Sequence, residues 1–169
     1  MQHTIRQIQL HDADEFHACL DSVARERKYL AQVEAPPIDK VREFVAQSVE
    51  QDAAQYVAVV DERIVGWCDV FSHWAYALKH VGTLGMGVHT EFRGQGLGRA
   101  LLVRTLDHAL RNDILRVALE AREDNDRAIR LYENVGFKHE GRAPCALRFE
   151  GKFYTGVKMA LLQGPASVA

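Results

Sequence analysis

The sequence predicts one α/β (α+β) domain of seven strands and four helices, and three observations carry that reading. Apolar positions recur at every second residue in some segments and at every third or fourth in others, so strands and helices are interleaved along the chain. The 169 residues are 47% hydrophobic and 26% charged, enough for one core with a solvated surface. No internal repeat, low-complexity block or linker divides the chain. The domain is therefore expected over residues 3–162, with 163–169 as a frayed tail.

HTIRQIQL (3–10) opens the domain as a short strand in which Ile5, Ile8 and Leu10 are apolar. A helix follows: Asp12 is placed to cap it, Glu15 completes a capping box, and Phe16, Leu20, Val23 and Leu30 keep helical spacing. EAPP (34–37) breaks the pattern, because Pro36 and Pro37 force extended or turn geometry. Ile38, Val41, Phe44 or Val45, and Val49 then define a second helix. YVAVV (56–60) and IVGWCDVF (64–71) flank the polar turn DER and read as a hairpin. SHWAYALK (72–79) is a loop. HVGTLGMGVH (80–89) is a strand whose glycines suggest a bulge or a close approach by another group. LGRALLVRTLDHALR forms a third helix, with Leu97, Leu101, Leu106 and Leu110 among its apolar positions, and ILRVALEA (114–121) a strand. A fourth helix starts near Asn125, with Ala128, Leu131, Tyr132 and Val135 on one face and Gly136 as its C-cap. FKHEG (137–141) and KFYTGVKMALL (152–162) are the last two strands.

Bulk properties exclude several function classes. Net charge is −2 with no basic block, which argues against nucleic acid or an anionic membrane as partner. No apolar run has the length of a signal peptide or of a membrane span. Cys19, Cys68 and Cys145 are scattered and odd in number, which reads as reduced thiols in a cytoplasmic protein. The eight histidines show no ligand spacing, so no metal site is expected.

EFRGQGLGRALL (91–102) is the segment that points to a ligand. Gly94, Gly96 and Gly98 stand at alternate positions between Arg93 and Arg99, at a strand-to-helix junction. The first N–H groups of a helix lack internal partners, and the helix dipole makes that end positive. Glycines let those donors face a ligand and the arginines add charge, which together make a phosphate cradle. The loop lacks the GK[ST] ending of a P-loop, which argues against a nucleoside triphosphate. The dinucleotide fingerprint GxGxxG is nearer, and Glu120 follows at a strand end, but the spacing here is GxGxG and the loop does not open a βαβ unit. A bare strand–helix turn would need only two glycines.

RGQGLG also matches Q/R-x-x-G-x-G/A, with Arg93, Gly96 and Gly98 in the fixed positions, and LEAREDNDRAIRLYENVGF (119–137) contains N-x-x-A-x-x-L-Y followed by Gly-Phe. With both motifs in this element order from about Thr4 to Leu162, the chain resembles the Gcn5-related N-acetyltransferase (GNAT) superfamily. HVGTLGMGV and the late EG…EGKFY…M pattern are most similar to a bacterial branch of small-amine and amino-acid acetyltransferases. The resemblance implies a mixed, mostly antiparallel sheet of six to seven strands, splayed between the fourth and fifth, with acetyl-CoA in the gap. Met86, Gly87 and Val88 would pair with the pantetheine. Gly94, Gln95, Gly96, Leu97, Gly98 and Arg99 would wrap the pyrophosphate beside Arg93, and Asn125 would bond the pantetheine arm. A homodimer is a further arrangement the resemblance allows.

Acetyl transfer to an amine requires a neutral amine, aligned reactants, donors for the developing oxyanion and a proton for the leaving thiolate. The resemblance implies direct attack in a ternary complex, with no covalent cysteine. Tyr132 matches the family's helix-four tyrosine, the proposed acid. Glu120 matches a glutamate base of a related ribosomal-protein acetyltransferase branch. Both also have plain structural readings, as a core aromatic and as a surface glutamate paired with Arg122. A backbone N–H near Gly87 or Val88 would hold the oxyanion. Glu34, His73, Trp74, Tyr76 and Tyr154 are candidates to wall the acceptor pocket. Gly156 departs from the branch's Y-x-D pattern, which bears on how the amine is seated. The expected function is an acetyl-CoA-dependent N-acetyltransferase for a primary amine of a small molecule, an amino acid or an analogue. A protein N-terminus or lysine as acceptor, and a non-catalytic acyl-CoA-binding module, are the alternatives.

Overall fold

The structure, a computed structural model, describes residues 3–164. The elements follow the expected order: β1 (Thr4–Gln7), α1 (Ala13–Ala24), α2 (Ile38–Glu50), β2 (Ala54–Val60), β3 (Arg63–Ser72), β4 (Val81–Val88), α3 (Leu97–Arg111), β5 (Arg116–Arg122), α4 (Asp126–Val135), β6 (Lys138–Phe149) and β7 (Lys152–Leu162). The strands form one sheet in the order β1-β2-β3-β4-β5-β7-β6. All neighbours are antiparallel except β4 and β5, which run parallel. Among the described residues, no helix is long and apolar enough to cross a membrane.

Period-2 alternation sorts the strand residues between two apolar layers. Val117, Leu119 and Ala121 of β5 share a core with Leu101 and Leu102 of α3 and Tyr132 of α4. Trp67 of β3 joins Phe16 of α1 and Val41 and Val45 of α2 on the opposite face. Asp69, two residues from Trp67, and Glu120, one residue from Leu119 and Ala121, therefore lie on the α1–α2 face.

The parallel pair is short. β4 and β5 pair at Val81↔Arg116, Gly82↔Val117 and Thr83↔Ala118, and then part. Leu84–Val88 and Leu119–Arg122 border the resulting gap, which is the splay the resemblance implies.

Local details differ from the sequence reading. α1 ends at Ala24, so Leu30 belongs to the connection between α1 and α2. Asp12 does not cap α1. Its carboxylate turns back to accept from the Gln9 N–H (2.8 Å) and from both Nη atoms of Arg6 (2.6 and 2.8 Å), closing the preceding 3₁₀ turn instead. β4 carries no bulge against β3: the register is unbroken from Gly66↔Val88 to Ser72↔Gly82. β6 runs well past FKHEG, to Phe149; irregularities at His139/Gly141 and Ala143/Leu147 interrupt the alternation that would have marked its length. At the C-terminus, Gln163 is tied to the fold, its N–H donating to Leu115 O (2.8 Å) and its Nε2 to Ile114 O (2.9 Å). Residues 165–169 of the expected tail lie outside the described residues.

Candidate active site

The gap between β4 and β5 opens into a cleft of about 670 Å³. β3, β4 and β5 form its floor, α1, α2 and their connection one wall, and Tyr132 of α4 closes the far side.

The backbone of β4 offers its free groups selectively. The His89 N–H donates to Val65 O (2.8 Å) at one end of the β3–β4 ladder, and the His73 N–H to Val81 O (2.9 Å) at the other. Strand alternation then directs Gly85 and Gly87 toward β3, and Leu84, Met86 and Val88 into the gap. Val88 O is taken by Arg93 Nε (2.8 Å). Met86 thus keeps both backbone groups open to the gap and Val88 its N–H. Gly87, expected in this set, belongs to the β3 ladder. Its glycine serves another end: a Cβ there would overlap the Trp67 ring, and one at Gly85 would sit 2.9 Å from Asp69 Oδ1. The two glycines clear the α1–α2 face for two β3 side chains.

The glycines of the strand–helix loop divide in the same way. Gly94 (φ +78) and Gly96 (φ +85) adopt the left-handed conformation with open space beyond them. Gly98 instead meets neighbours: a Cβ would come within 3.3 Å of Leu131 and 3.5 Å of Met86, so its small size lets α3 pack. The first bond of α3 runs from the Ala100 N–H to Gly96 O (3.1 Å), which leaves the amides of Leu97, Gly98 and Arg99 pointing out of the helix end. The Leu97 side chain is buried in the core and Arg99 is exposed. Gln95 Nε2 ties the loop to Glu91 O (3.1 Å). The Arg93 guanidinium is occupied: Nη1 and Nη2 donate to the Glu26 carboxylate (2.9 and 2.5 Å). Arg93 is a strut joining the loop, the end of β4 and the chain just past α1. That leaves Arg99 as the loop arginine facing solvent.

Tyr132 is buried against Phe137, and burial pushes its phenol well up, so it holds its proton at neutral pH. Glu120 leans toward β7: a Cβ at Gly156 would overlap its carboxyl group, so the glycine that departs from Y-x-D makes room for it. Asn125 Oδ1 accepts from the Ala128 N–H (3.3 Å) and caps α4, while its residue also lines the cleft. A parted parallel pair, open helix-end amides beside it and a protonated tyrosine across the gap can hold an anionic, strand-like acyl donor.

The acetyltransferase (GNAT) family model matches residues 13–137. The chain belongs to the GNAT acetyltransferase family. It is 27% identical over 158 residues to the SPbeta prophage-derived uncharacterized N-acetyltransferase YokL of Bacillus subtilis, spanning 91% of this chain and 86% of that one. A GNAT-family acetyltransferase of Streptococcus pneumoniae superposes with a TM-score of 0.89 over 96% of this chain and 100% of its own, at 23% identity. The yncA acetyltransferase of Salmonella typhimurium, solved with its cofactor acetyl-CoA, superposes with a TM-score of 0.91 over 98% and 96%, at 18% identity. By family and fold the chain is an N-acetyltransferase.

The acceptor side of this GNAT cleft differs most from the sequence reading. Trp74 and Tyr76 are 87% and 90% exposed, and neither they nor His73 line the cleft. Their loop feeds the paired end of β4, away from the gap. Glu34 turns outward to Arg25 (3.6 Å), although Leu30 and Pro36 of the same connection do line the cleft. Tyr154 acts one layer back, its ring 4.0 Å from the Arg122 guanidinium. Arg122 is also paired with Asp124 (Nε–Oδ1 2.6 Å, Nη2–Oδ2 2.8 Å) and flanked by Tyr29 (5.0 Å). The side chains the sequence reading passed over are Phe44, Phe16 and Trp67, which touch in that order (6.3 and 5.8 Å between rings), and Asp69, which lines the same cleft. Asp69 left a signal: it is the lone acid in the apolar strand IVGWCDVF.

Proposed function

We propose that this GNAT protein transfers the acetyl group of acetyl-CoA to the primary amine of a small molecule, by direct attack with both reactants bound. The observation that carries the reading is the parted β4–β5 pair, which joins an anion-binding loop to a cleft of small-molecule size. When bound, acetyl-CoA supplies an activated acyl carbon and a thiolate leaving group.

The chain's residues divide the remaining work. The amides of Leu97, Gly98 and Arg99 receive the pyrophosphate at the positive end of α3, with Gly94, Gln95 and Gly96 shaping the loop. The Met86 backbone pairs with the pantetheine as a neighbouring strand would, and Asn125 Nδ2 remains to donate to it while Oδ1 caps the helix. The Met86 or Val88 N–H, already aimed into the gap, stabilises charge developing on the carbonyl oxygen. Tyr132 donates to the departing sulfur from the α4 side. Because its pKa is raised, it acts first as a hydrogen-bond donor to the sulfur, and its proton passes to sulfur as the amine nitrogen's second proton replaces it. Glu120 lines the cleft on its α1–α2 face, set back over Gly156, and helps to carry protons away from the amine toward solvent.

The test is release of CoA, read with a thiol reagent, against free amino acids, arylalkylamines, polyamines and short peptides, with Tyr132→Phe and Glu120→Gln alongside. Release driven by a small amine, with a fall of roughly 10²-fold or more in Tyr132→Phe, is the expected result. Release with peptides alone would move the acceptor to proteins. No release while acetyl-CoA still raises the melting temperature would leave a binding module.

A further inference from the structure

Asp69 is the one acid on the floor of the cleft that the roles above leave unused. It pairs in register with Gly85, and continuing the β4–β5 register past its last pair sets Gly85 level with Glu120. Asp69 and Glu120 therefore stand at one height on the same face, Glu120 on the β5 bank of the gap and Asp69 on β3, one strand behind the β4 bank. They lean in different directions. The Asp69 carboxylate reaches over Gly85 toward the gap, and Glu120 leans away over Gly156. Gly85 is what permits this, since a side chain there would displace the carboxylate.

The surroundings of Asp69 narrow what can bind. Phe16, Phe44, Trp67 and Leu84 give an apolar wall. The other titratable or charged groups lining the cleft are Lys40 from α2, Tyr29 from the α1–α2 connection, Glu120 and Arg122 from β5, and Tyr132 from α4. α1, β4 and β6 contribute none to the lining. Arg122 is neutralised by Asp124, and Lys40 is exposed and bound to Glu43 (2.8 Å). A substrate carboxylate thus finds no uncommitted cation in the depth of the cleft, whereas an ammonium finds a carboxylate.

We propose that Asp69 seats the acceptor's ammonium and takes its first proton, and that the acceptor is a monoamine with an apolar, uncharged body, such as an arylalkylamine, rather than a zwitterionic amino acid. This rests on the acetyl-transfer reading above. The ammonium gives one proton to the Asp69 carboxylate, which passes it to solvent. The freed lone pair forms the C–N bond as the C–S bond breaks. The second proton leaves the nitrogen as the amide forms, and replaces the one Tyr132 yields to sulfur. The sum is amide, thiol and one released proton. Burial pushes the Asp69 carboxyl up to about 7 against a hydrogen bond from the Gly85 backbone, which makes it a better proton acceptor than an ordinary carboxylate.

The test uses the full chain, phenethylamine and phenylalanine as paired acceptors, and Asp69→Asn. Four results are expected. Phenethylamine exceeds phenylalanine in kcat/KM by about 100-fold or more. Asp69→Asn loses about 100-fold with phenethylamine, and its residual rate climbs with pH as free amine appears. Asp69→Asn still shows the full rise in melting temperature with acetyl-CoA, and phenethylamine alone protects the wild type but not the variant. Gly85→Ala, which pushes on the carboxylate without removing it, raises the amine KM more than it lowers kcat. Unchanged kcat/KM in Asp69→Asn overturns the role. Phenylalanine matching or beating phenethylamine overturns the acceptor class and leaves acetyl transfer standing. Inertness toward every amine overturns acetyl transfer itself, and the assignment to Asp69 with it.

Discussion

On the loop side of the gap a ligand meets backbone: the amides of Leu97–Arg99 and the open edge of Met86. On the α1–α2 side it meets side chains: Phe16, Phe44, Trp67 and two carboxylates. The glycines on the two sides differ accordingly. Gly94 and Gly96 are required by their own left-handed conformations, Gly85 and Gly87 by what their neighbours place over them. A backbone site serves any member of a family that shares the donor. A side-chain cup can change one residue at a time, and under the proposed function it is where acceptor specificity would be set.

Gly96→Val strikes the backbone side hardest. A β-branched residue at φ +85 costs about 2–3 kcal/mol, which the free loop sheds by relaxing and binding must restore, so acetyl-CoA affinity should fall by roughly 30- to 150-fold in calorimetry. An unchanged affinity would remove the loop from the donor site. Gly87→Ala should act oppositely, through stability: the Trp67 ring must move, at about 1–3 kcal/mol in urea unfolding, with little change in acetyl-CoA affinity.

Asp69→Asn separates the cup from the loop by pH. The carboxyl is raised from 3.8 to about 7 on folding, so stability present below the unfolded value is lost as pH rises through the folded one. Asparagine carries no such penalty. The variant should nearly match wild type near about pH 4 and exceed it by on the order of 4 kcal/mol near about pH 8, as read by melting curves at each pH. Equal stability at both would mean the carboxylate is not enclosed as described. The smallest effect is expected at Trp74→Ala, outside the cleft: kcat/KM should stay within about twofold of wild type, and a larger fall would bring that loop back to the acceptor.

Much of the backbone side was legible in the sequence, because glycine spacing, the Asn125 and Gly136 caps and the order of elements are local properties. The cup was not. Phe16, Phe44 and Trp67 read correctly as apolar positions, but their meeting depends on which strand α1 and α2 cover. Trp74 and Tyr76 looked like a pocket wall because aromatics in a loop are conspicuous, yet β4 carries that loop to the wrong end of the gap. Arg93 looked like a phosphate ligand because nothing local discloses Glu26. Asp69 was the readable exception, an acid in a strand with apolar neighbours on both sides.

In the proposed reaction the gap brings donor and acceptor together at once. The chain offers no thiolate as an intermediate carrier: burial pushes the Cys19 thiol up to about 12 and the Cys68 thiol up as well, and Cys145, though exposed, does not line the cleft. Initial rates of CoA release over a grid of acetyl-CoA and amine concentrations test this most directly. Intersecting double-reciprocal lines, with no acetyl group retained by the protein in the absence of amine, are the predicted result. Parallel lines with an acetylated protein would contradict it.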